Sequence, residues 1–175
     1  MRDSSVSVRL AEARTDEPQP RRASLRDTAQ AMSHENVEAF KRGLEAGNRG
    51  DVETLLEQLD PEVEWHSALH ALLGGEQTVF RGHEGVREML RDLNEAFGEI
   101  RIEISEIRDL GNRLVAIGRN RARGKASGIE TETPFALVTE VKDGKTVSVR
   151  GYLDPKQALE AVGISEQDAH RDEPS

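Results

Sequence analysis

The stretch DGKTVSVRGYLDPKQALEAVG, residues 143–163, decides the fold class. It opens on a tight hairpin turn at Asp143-Gly144 and continues as a strand in which side chains alternate between two faces. The strand breaks at Asp154-Pro155, where aspartate is suited to cap a helix and proline to its first turn. Gly163 is suited to end that helix. The stretch therefore predicts a hairpin strand followed at once by a short helix.

The rest of the chain extends this pattern in both directions. Alternation predicts three antiparallel strands before the hairpin, at 100–104, 114–123 and 131–141. Apolar spacing of three and four residues predicts helices upstream, at 33–46, 51–59 and 84–97. A short strand at 63–67 and a loop at 68–82 lie between them. The predicted fold class is α+β: a cone-shaped, curved antiparallel sheet wrapped around three N-terminal helices, with a pocket between helices and sheet.

Composition excludes several classes of protein. The 175 residues include no cysteine, which excludes disulfides, thiolate metal sites and cysteine nucleophiles. The formal charge of −9 argues against a general nucleic-acid binder. No apolar run approaches the length of a membrane span, and we expect a cytoplasmic bacterial protein that has no membrane partner.

The chain is predicted to have three parts. Residues 1–31 contain Pro18 and Pro20, and their apolar residues show no sustained periodicity. This pattern indicates a disordered N-terminal arm or a mis-called start. A functional basic arm is the alternative. Residues 32–164 form the single predicted domain, with Ser33 as the cap of its first helix. Residues 165–175 form a disordered acidic tail.

Three motifs in fixed order resemble the SnoaL-like branch of the nuclear transport factor 2-like superfamily. They are GDVETLLEQLDPEVEWHS (50–67), FRGHEGVREML (80–90) and the stretch 143–163. The resemblance spans residues 33–164. It implies an α+β cone and a homodimer through the outer sheet face. Some members are enzymes, such as ketosteroid isomerase, limonene-epoxide hydrolase and polyketide cyclases, and others only bind ligands, so the fold does not settle the function.

The residues that those enzymes use do not carry over to this chain. In ketosteroid isomerase an aspartate base and two acidic donors act on the substrate, and by spacing these positions fall on Ser67, Phe40 and near Leu137. The aspartate that epoxide hydrolase and the cyclases place on the last strand corresponds to Gly151. The sequence therefore predicts a cavity that lacks the carboxylates of its enzymatic relatives.

The predicted ligand pocket is mainly apolar. In the last strand, we expect the row of side chains that contains Val149 and Gly151 to face inward. In the first strand, we expect Trp65 and Ser67 to face inward and Glu64 and His66 to face outward. The predicted pocket residues are Phe40, Trp65, Ser67, Leu90, Phe97, Asn120, Phe135, Leu137, Val149 and Gly151. The loop with Leu69, His70, Leu72 and Leu73 is predicted to act as a lid.

Three histidines follow the first strand closely. His66 and His70 are four residues apart, but no HExxH motif accompanies them, and no metal or other cofactor is predicted. One of them could line the pocket as a general base, since imidazole titrates near neutral pH. The alternative is that both, with His83, are surface groups. In that case replacement of His66 or His70 by alanine would leave stability nearly unchanged.

The remaining polar candidates have structural alternatives. Arg119, Arg121, Arg123 and Lys125 share one strand face, which is either a cationic wall for an anionic ligand or an outer face paired with glutamates across the strands. Asp154 is either a pocket carboxylate or the helix cap. Arg150 and Tyr152 share its face, where we expect the outer sheet surface and a dimer contact.

Three functions are consistent with the sequence. The first is a homodimeric domain that binds a small apolar or weakly anionic molecule. The second is a cofactor-independent cyclase, isomerase or hydrolase that uses His66 or His70 as base and Arg119 or Arg121 as electrostatic stabiliser. The third is a dimeric interaction module without a ligand. A core filled solid by side chains would favour the third, and a cavity without a titratable group the first.

Overall fold

The computed structural model describes residues 25–76 and 78–165. The chain divides into two units, Met1–Ala31 and Met32–Ser175, and the whole sheet belongs to the second. Residues 1–24 of the predicted arm and residues 166–175 of the predicted tail lie outside the described residues. The proposed domain limits therefore remain predictions.

The helices begin and end close to the sequence signals, with two exceptions. They are α1 (Leu25–Arg49), α2 (Val52–Glu57), α3 (Ala68–Leu72), α4 (Gly82–Phe97) and α5 (Pro155–Ala161). The predicted start of α1 at Ser33 is wrong, because the helix-favouring residues from Leu25 onward extend the helix through exposed turns. The segment 68–82, predicted as a loop with a small extended piece near 78–81, has its short strand there but also contains the helix α3, which was not predicted.

The sheet has six strands in the order β2-β1-β6-β5-β4-β3. The strands are β1 (Leu59–His66), β2 (Val79–Arg81), β3 (Glu99–Asp109), β4 (Arg113–Arg123), β5 (Glu130–Lys142) and β6 (Lys145–Tyr152). All neighbouring pairs are antiparallel except β1 and β6, which run parallel. The predicted α+β fold, a curled and unclosed sheet with helices, is confirmed.

The curvature of the sheet is tied to a bulge in β3. Ile104 lies opposite Gly118 and Glu106 opposite Ile117, so Ser105 is the extra residue. At this point the strands approach so closely that a Cβ on Gly118 would lie 1.9 Å from the carbonyl oxygen of Glu103. Bulges bend and twist the strand that contains them, and only glycine fits opposite this one.

The two faces of the sheet carry separate apolar cores. The main core lies between the inner face and the helices, and it includes Val63, Phe80, Val86, Met89 and Val149. The second core is small and lies on the outer face, where Ala158 and Leu159 of α5 pack with Val115 and Ala136. Helix α5 therefore covers part of the outer face that the sequence assigned to a dimer contact.

The open edge of the sheet at β3 is held by α1. The side-chain amide of Asn48 donates to the carbonyl oxygen of Ile102 and accepts from its backbone N–H, both at 2.9 Å. This pair of bonds satisfies the edge strand as a further strand would. It also fixes the C-terminal end of α1 over the inner face of the sheet.

Candidate functional site

The main core encloses a cavity of about 830 Å³ between the inner face of the sheet and the helices. Its walls are mainly apolar, with Leu55, Leu59, Leu69, Met89 and Leu93 among them. A cavity of this size and lining is typical of sites for small organic molecules. The ionisable side chains among its described lining residues are Arg49, Arg87, Arg91 and Glu99.

These four side chains mark the mouth of the cavity. Arg49, Arg91 and Glu99 are exposed, and Arg87 is half-buried and bound to Glu53 at 2.7 Å. The described residues that line the deeper part of the cavity include no carboxylate and no histidine. The cavity is therefore apolar at depth and charged only at its opening.

Eight of the ten predicted pocket residues line this cavity. They are Phe40, Trp65, Ser67, Leu90, Phe135, Leu137, Val149 and Gly151. α3 approaches Gly151 closely, and a Cβ there would be crowded at 3.2 Å from the backbone nitrogen of Ala68. Whether these residues bind a ligand remains a prediction.

Phe97 and Asn120 do not line the cavity. Phe97 is the last residue of α4 and packs at the edge of the main core, whereas Met89, Leu90, Leu93 and Asn94 of that helix reach the cavity. Asn120 is 5 % exposed and lies between Ile102 and Thr133 in the sheet. Both were predicted from strand and helix periodicity, which gives the face of a residue but not its distance from the cavity.

Two buried hydroxyl groups form part of the cavity wall. Thr139, in the C-terminal half of β5, is 3 % exposed, and its Oγ1 has no hydrogen-bond partner among the described residues. Ser67 is 5 % exposed and directly follows β1. No local pattern selects Thr139, because its place in the wall follows from the register that sets it opposite Val149.

Ser67 connects the cavity to His70. Its Oγ lies 3.0 Å from Nδ1 of His70, and the imidazole is 6 % exposed and packs on the ring of Phe80 at 4.6 Å between centroids. The other ring nitrogen, Nε2, lies 3.7 Å from Oδ2 of Asp92 on α4. The sequence named His70 but not Asp92, because no spacing links α3 to α4.

Burial favours the neutral form of the His70 imidazole. Removal from water lowers the pKa of His70 below its ordinary value, and the carboxylates of Asp92 and Glu88 oppose this shift only in part. A neutral imidazole has one nitrogen that donates and one that accepts. It is therefore able to accept a hydrogen bond from the Ser67 hydroxyl.

His66 lies on the opposite side of β1 from Ser67. Its Nε2 is 2.6 Å from Oε1 of Glu64, and the bond to His66 lowers the pKa of that carboxyl. Arg150 of the neighbouring strand lies 3.5 Å from the same nitrogen. The prediction that His66 could line the pocket as a general base is therefore wrong, because strand alternation turns its side chain to the outer face.

Arg119 and Arg121 are also on the outer face and do not reach the cavity. Arg119 bonds Glu132 at 2.6 Å, and Arg121 lies 3.2 Å from the same carboxylate. The pair with Glu132 raises the pKa of Arg119, and the pair with Arg119 lowers the pKa of Glu132. The candidate role of Arg119 or Arg121 as electrostatic stabiliser is wrong, since cross-strand carboxylates hold both outside.

Two other candidates have structural roles. Asp154 is exposed and caps α5, with Oδ1 accepting from the backbone N–H of Lys156 at 3.0 Å. It does not line the cavity. His83 lies 3.0 Å from the carbonyl oxygen of Leu59, which ties the start of α4 to β1.

Part of the predicted lid is a buried part of the helix α3. Leu69 and His70 are buried in α3, and Leu69 lines the cavity. Leu72 and Leu73 are instead 52 % and 42 % exposed. The expectation that all four cover the pocket is wrong for these two, because the short helix turns them to solvent.

In residues 25–76 and 78–165, no three or more His, Asp or Glu side chains are grouped so that they could hold a metal ion. Within the same ranges, no helix is both long and apolar enough to cross a membrane.

The curled, unclosed sheet with helices is the nuclear transport factor 2-like fold. The chain belongs to the SnoaL-like domain family, whose model matches residues 37–149. Curated proteins gave no significant match.

Solved structures with this fold include proteins of different activity. A nuclear transport factor 2-like protein of unknown function from Burkholderia pseudomallei shares 22% identity, with 74% of this chain and 98% of that chain covered and a TM-score of 0.63. A putative SnoaL-like polyketide cyclase from Jannaschia shares 17% identity over 76% of this chain and 93% of that chain, with a TM-score of 0.59. An epoxide hydrolase from M. tuberculosis shares 18% identity over 69% of this chain and 84% of that chain, with a TM-score of 0.57. These likenesses show the fold.

Proposed function

We propose that this SnoaL-like protein binds a small, mainly apolar organic molecule in the cavity beneath its helices. The observation that carries the proposal is the cavity of about 830 Å³, whose ionisable lining residues lie at its mouth. Burial of apolar ligand surface against such walls drives binding at about 25 cal/mol per Å² before the costs of association. Exposed Arg91 at the mouth would tolerate a weakly anionic group on the ligand.

The other two functions receive less support. A ligand-free assembly module would have a core filled by side chains, whereas this core contains an open space. An enzyme that uses His66, Arg119 or Arg121 is not supported, since those side chains lie on the outer face. Catalysis through His70 is the version of the enzyme hypothesis that the geometry favours.

Fluorescence of the only tryptophan tests the binding proposal. Trp65 lines the cavity, so the apolar dye N-phenyl-1-naphthylamine should quench it on binding and brighten as it leaves water. Val149→Phe should weaken dye binding at least about tenfold, because the larger ring enters the cavity. Val147→Phe is the matched control, since Val147 is on the same strand and does not line the cavity. Equal dye affinity in both variants would contradict the proposal.

Homodimerisation through the outer sheet face and a cytoplasmic location are also proposals. Helix α5 covers the apolar part of that face, so a partner would contact the charged part with Arg119, Arg121 and Glu132. Light scattering would then give about twice the chain mass of 19.4 kDa at low salt and a lower mass as salt screens the charges. A single-chain mass at low salt would contradict the dimer.

A further inference from the structure

The hydroxyl of Ser67 does not cap α3, the helix that follows it, although Ser67 is in the N-cap position. A serine at this position ordinarily stabilises its helix by about 1 kcal/mol through that bond. Here Oγ of Ser67 bonds His70 instead. The backbone N–H of Ser67 donates to the carbonyl oxygen of Thr78 at 2.7 Å, which holds the serine in place.

The environment of His70 determines which group donates in this bond. Its buried Nε2 has no hydrogen-bond partner among the described residues and faces the Asp92 carboxylate at 3.7 Å. A proton on Nε2 is favoured beside a carboxylate, whereas a lone pair there would be repelled. Nδ1 is then the acceptor, and the Ser67 hydroxyl donates to it. The Oγ of Ser67, a residue that lines the cavity, then keeps its lone pairs free of this bond.

Acidic side chains surround the far side of the imidazole. Asp92, Glu88 and Glu95 come from α4, and Glu76 comes from the segment after α3. Asp92 and Glu88 would offset part of the cost of a positive charge on the buried imidazole. The described residues that line the deeper part of the cavity, where Ser67 lies, include no carboxylate and no histidine. The arrangement is therefore polarised, with a serine of the cavity wall on one side of the imidazole and negative charge on the other.

We propose that Ser67, His70 and Asp92 form a proton relay, and that the ligand carries an acidic hydroxyl group, a phenol or an enol, that binds to Ser67. The ligand's O–H proton passes to Ser67 Oγ while the Ser67 proton passes to Nδ1 of His70. The ligand becomes an oxyanion and His70 an imidazolium that faces Asp92, so one O–H bond is replaced by one N–H bond. The relay rests on the proposed binding function.

A coloured naphthol and its methyl ether separate the relay from binding. 4-Nitro-1-naphthol changes its absorption when it ionises, and 1-methoxy-4-nitronaphthalene has the same rings without the acidic proton. At pH 7 the ratio of ionised to neutral bound naphthol should be about tenfold higher in the wild-type protein than in Ser67→Ala. A change of this size is expected for the loss of one hydrogen bond to a charged group. The ether should bind both proteins equally.

Further variants distinguish the relay from a structural effect. Ser67→Thr keeps the hydroxyl and should restore ionisation of the bound naphthol. His70→Asn should abolish the added ionisation, whereas His66→Asn, on the outer face, should not. Equal ionisation in the wild-type protein and Ser67→Ala, with both binding the ether, would overturn the relay alone. Failure of the wild-type protein to bind either compound would overturn the binding function and the relay with it.

The tautomer of His70 gives a test that needs no ligand. Nitrogen NMR of the ¹⁵N-histidine-labelled protein near neutral pH should show His70 with its proton on Nε2. A proton on Nδ1 would make Ser67 the acceptor in this bond and would overturn the proposed direction of the relay.

Discussion

His70 shows how the surroundings of one side chain set its chemistry. The imidazole is buried against Phe80 and retains one hydrogen bond, to Ser67. Its exposure of 6 % excludes the surface role that the sequence left open. Removal of this ring would leave a void and an unpaired serine hydroxyl, so His70→Ala should destabilise the fold by about 2 kcal/mol or more. Chemical denaturation against wild type would measure this loss.

The same residue makes stability depend on pH. Its pKa is lowered in the folded protein, so the unfolded chain, with a value near 6.5, takes up the proton first as pH falls. The contribution of His70 to the free energy of unfolding is therefore fully present above pH 6.5, and it is lost as pH falls from 6.5 toward the lower pKa of the folded state. Urea unfolding at a series of pH values should show that the free energy of unfolding declines less steeply below pH 6.5 in His70→Asn than in the wild-type protein. If His66→Asn flattened it equally, this assignment would be wrong.

Strand alternation predicted the side of a residue correctly where the strand was regular. In β1 it placed Trp65 and Ser67 together and Glu64 with His66, and the structure has the first pair at the cavity. What alternation could not predict were contacts between distant elements. The position of Asp92 beside His70 depends on how α4 packs, and that of the Thr139 hydroxyl, which has no partner among the described residues, depends on the strand register. Neither can be read from local spacing.

At the scale of whole elements, the bulge in β3 depends on Gly118. The carbonyl oxygen of Glu103 occupies the place of any Cβ there, so Gly118→Ala should cost more than about 2 kcal/mol or prevent folding. Gly43→Ala is the control, since its Cβ would meet Leu55 and Gln58 at 3.5 Å inside a helix. That control should be neutral or slightly stabilising by about 0.5 kcal/mol. Comparable losses in both variants, measured by denaturant unfolding, would contradict the role of the bulge.

The junction of α1 with β3 depends on Asn48. Its two backbone bonds to Ile102 hold a helix to an otherwise open strand edge. Asn48→Ala should destabilise the protein by about 1–3 kcal/mol, because two part-buried backbone groups lose their partners. It should also speed amide exchange at Ile102. Unchanged exchange there would mean that other groups secure this edge.

At the scale of the molecule, the fold was predictable because several weak motifs occur in the right order. The hairpin at 143–144, the Asp154-Pro155 cap and the helical stripes each limit the architecture, and together they indicate an α+β fold with a curved sheet. The placement of α5 on the outer face was not predictable, since a short helix with two buried residues carries little periodic signal. The cavity itself arises from packing that leaves space between correctly predicted layers.

That space links ligand binding to global stability. A ligand that binds only the folded state stabilises it by about 2.7 kcal/mol at a hundredfold excess over its Kd. For a chain of this length, N-phenyl-1-naphthylamine should therefore raise Tm by roughly 5–10 °C. Val149→Phe should lose most of this rise because its ring enters the cavity, while Val147→Phe should keep it. Calorimetry of the three proteins with and without the dye would decide, and a rise of equal size in all three would place the dye outside the cavity.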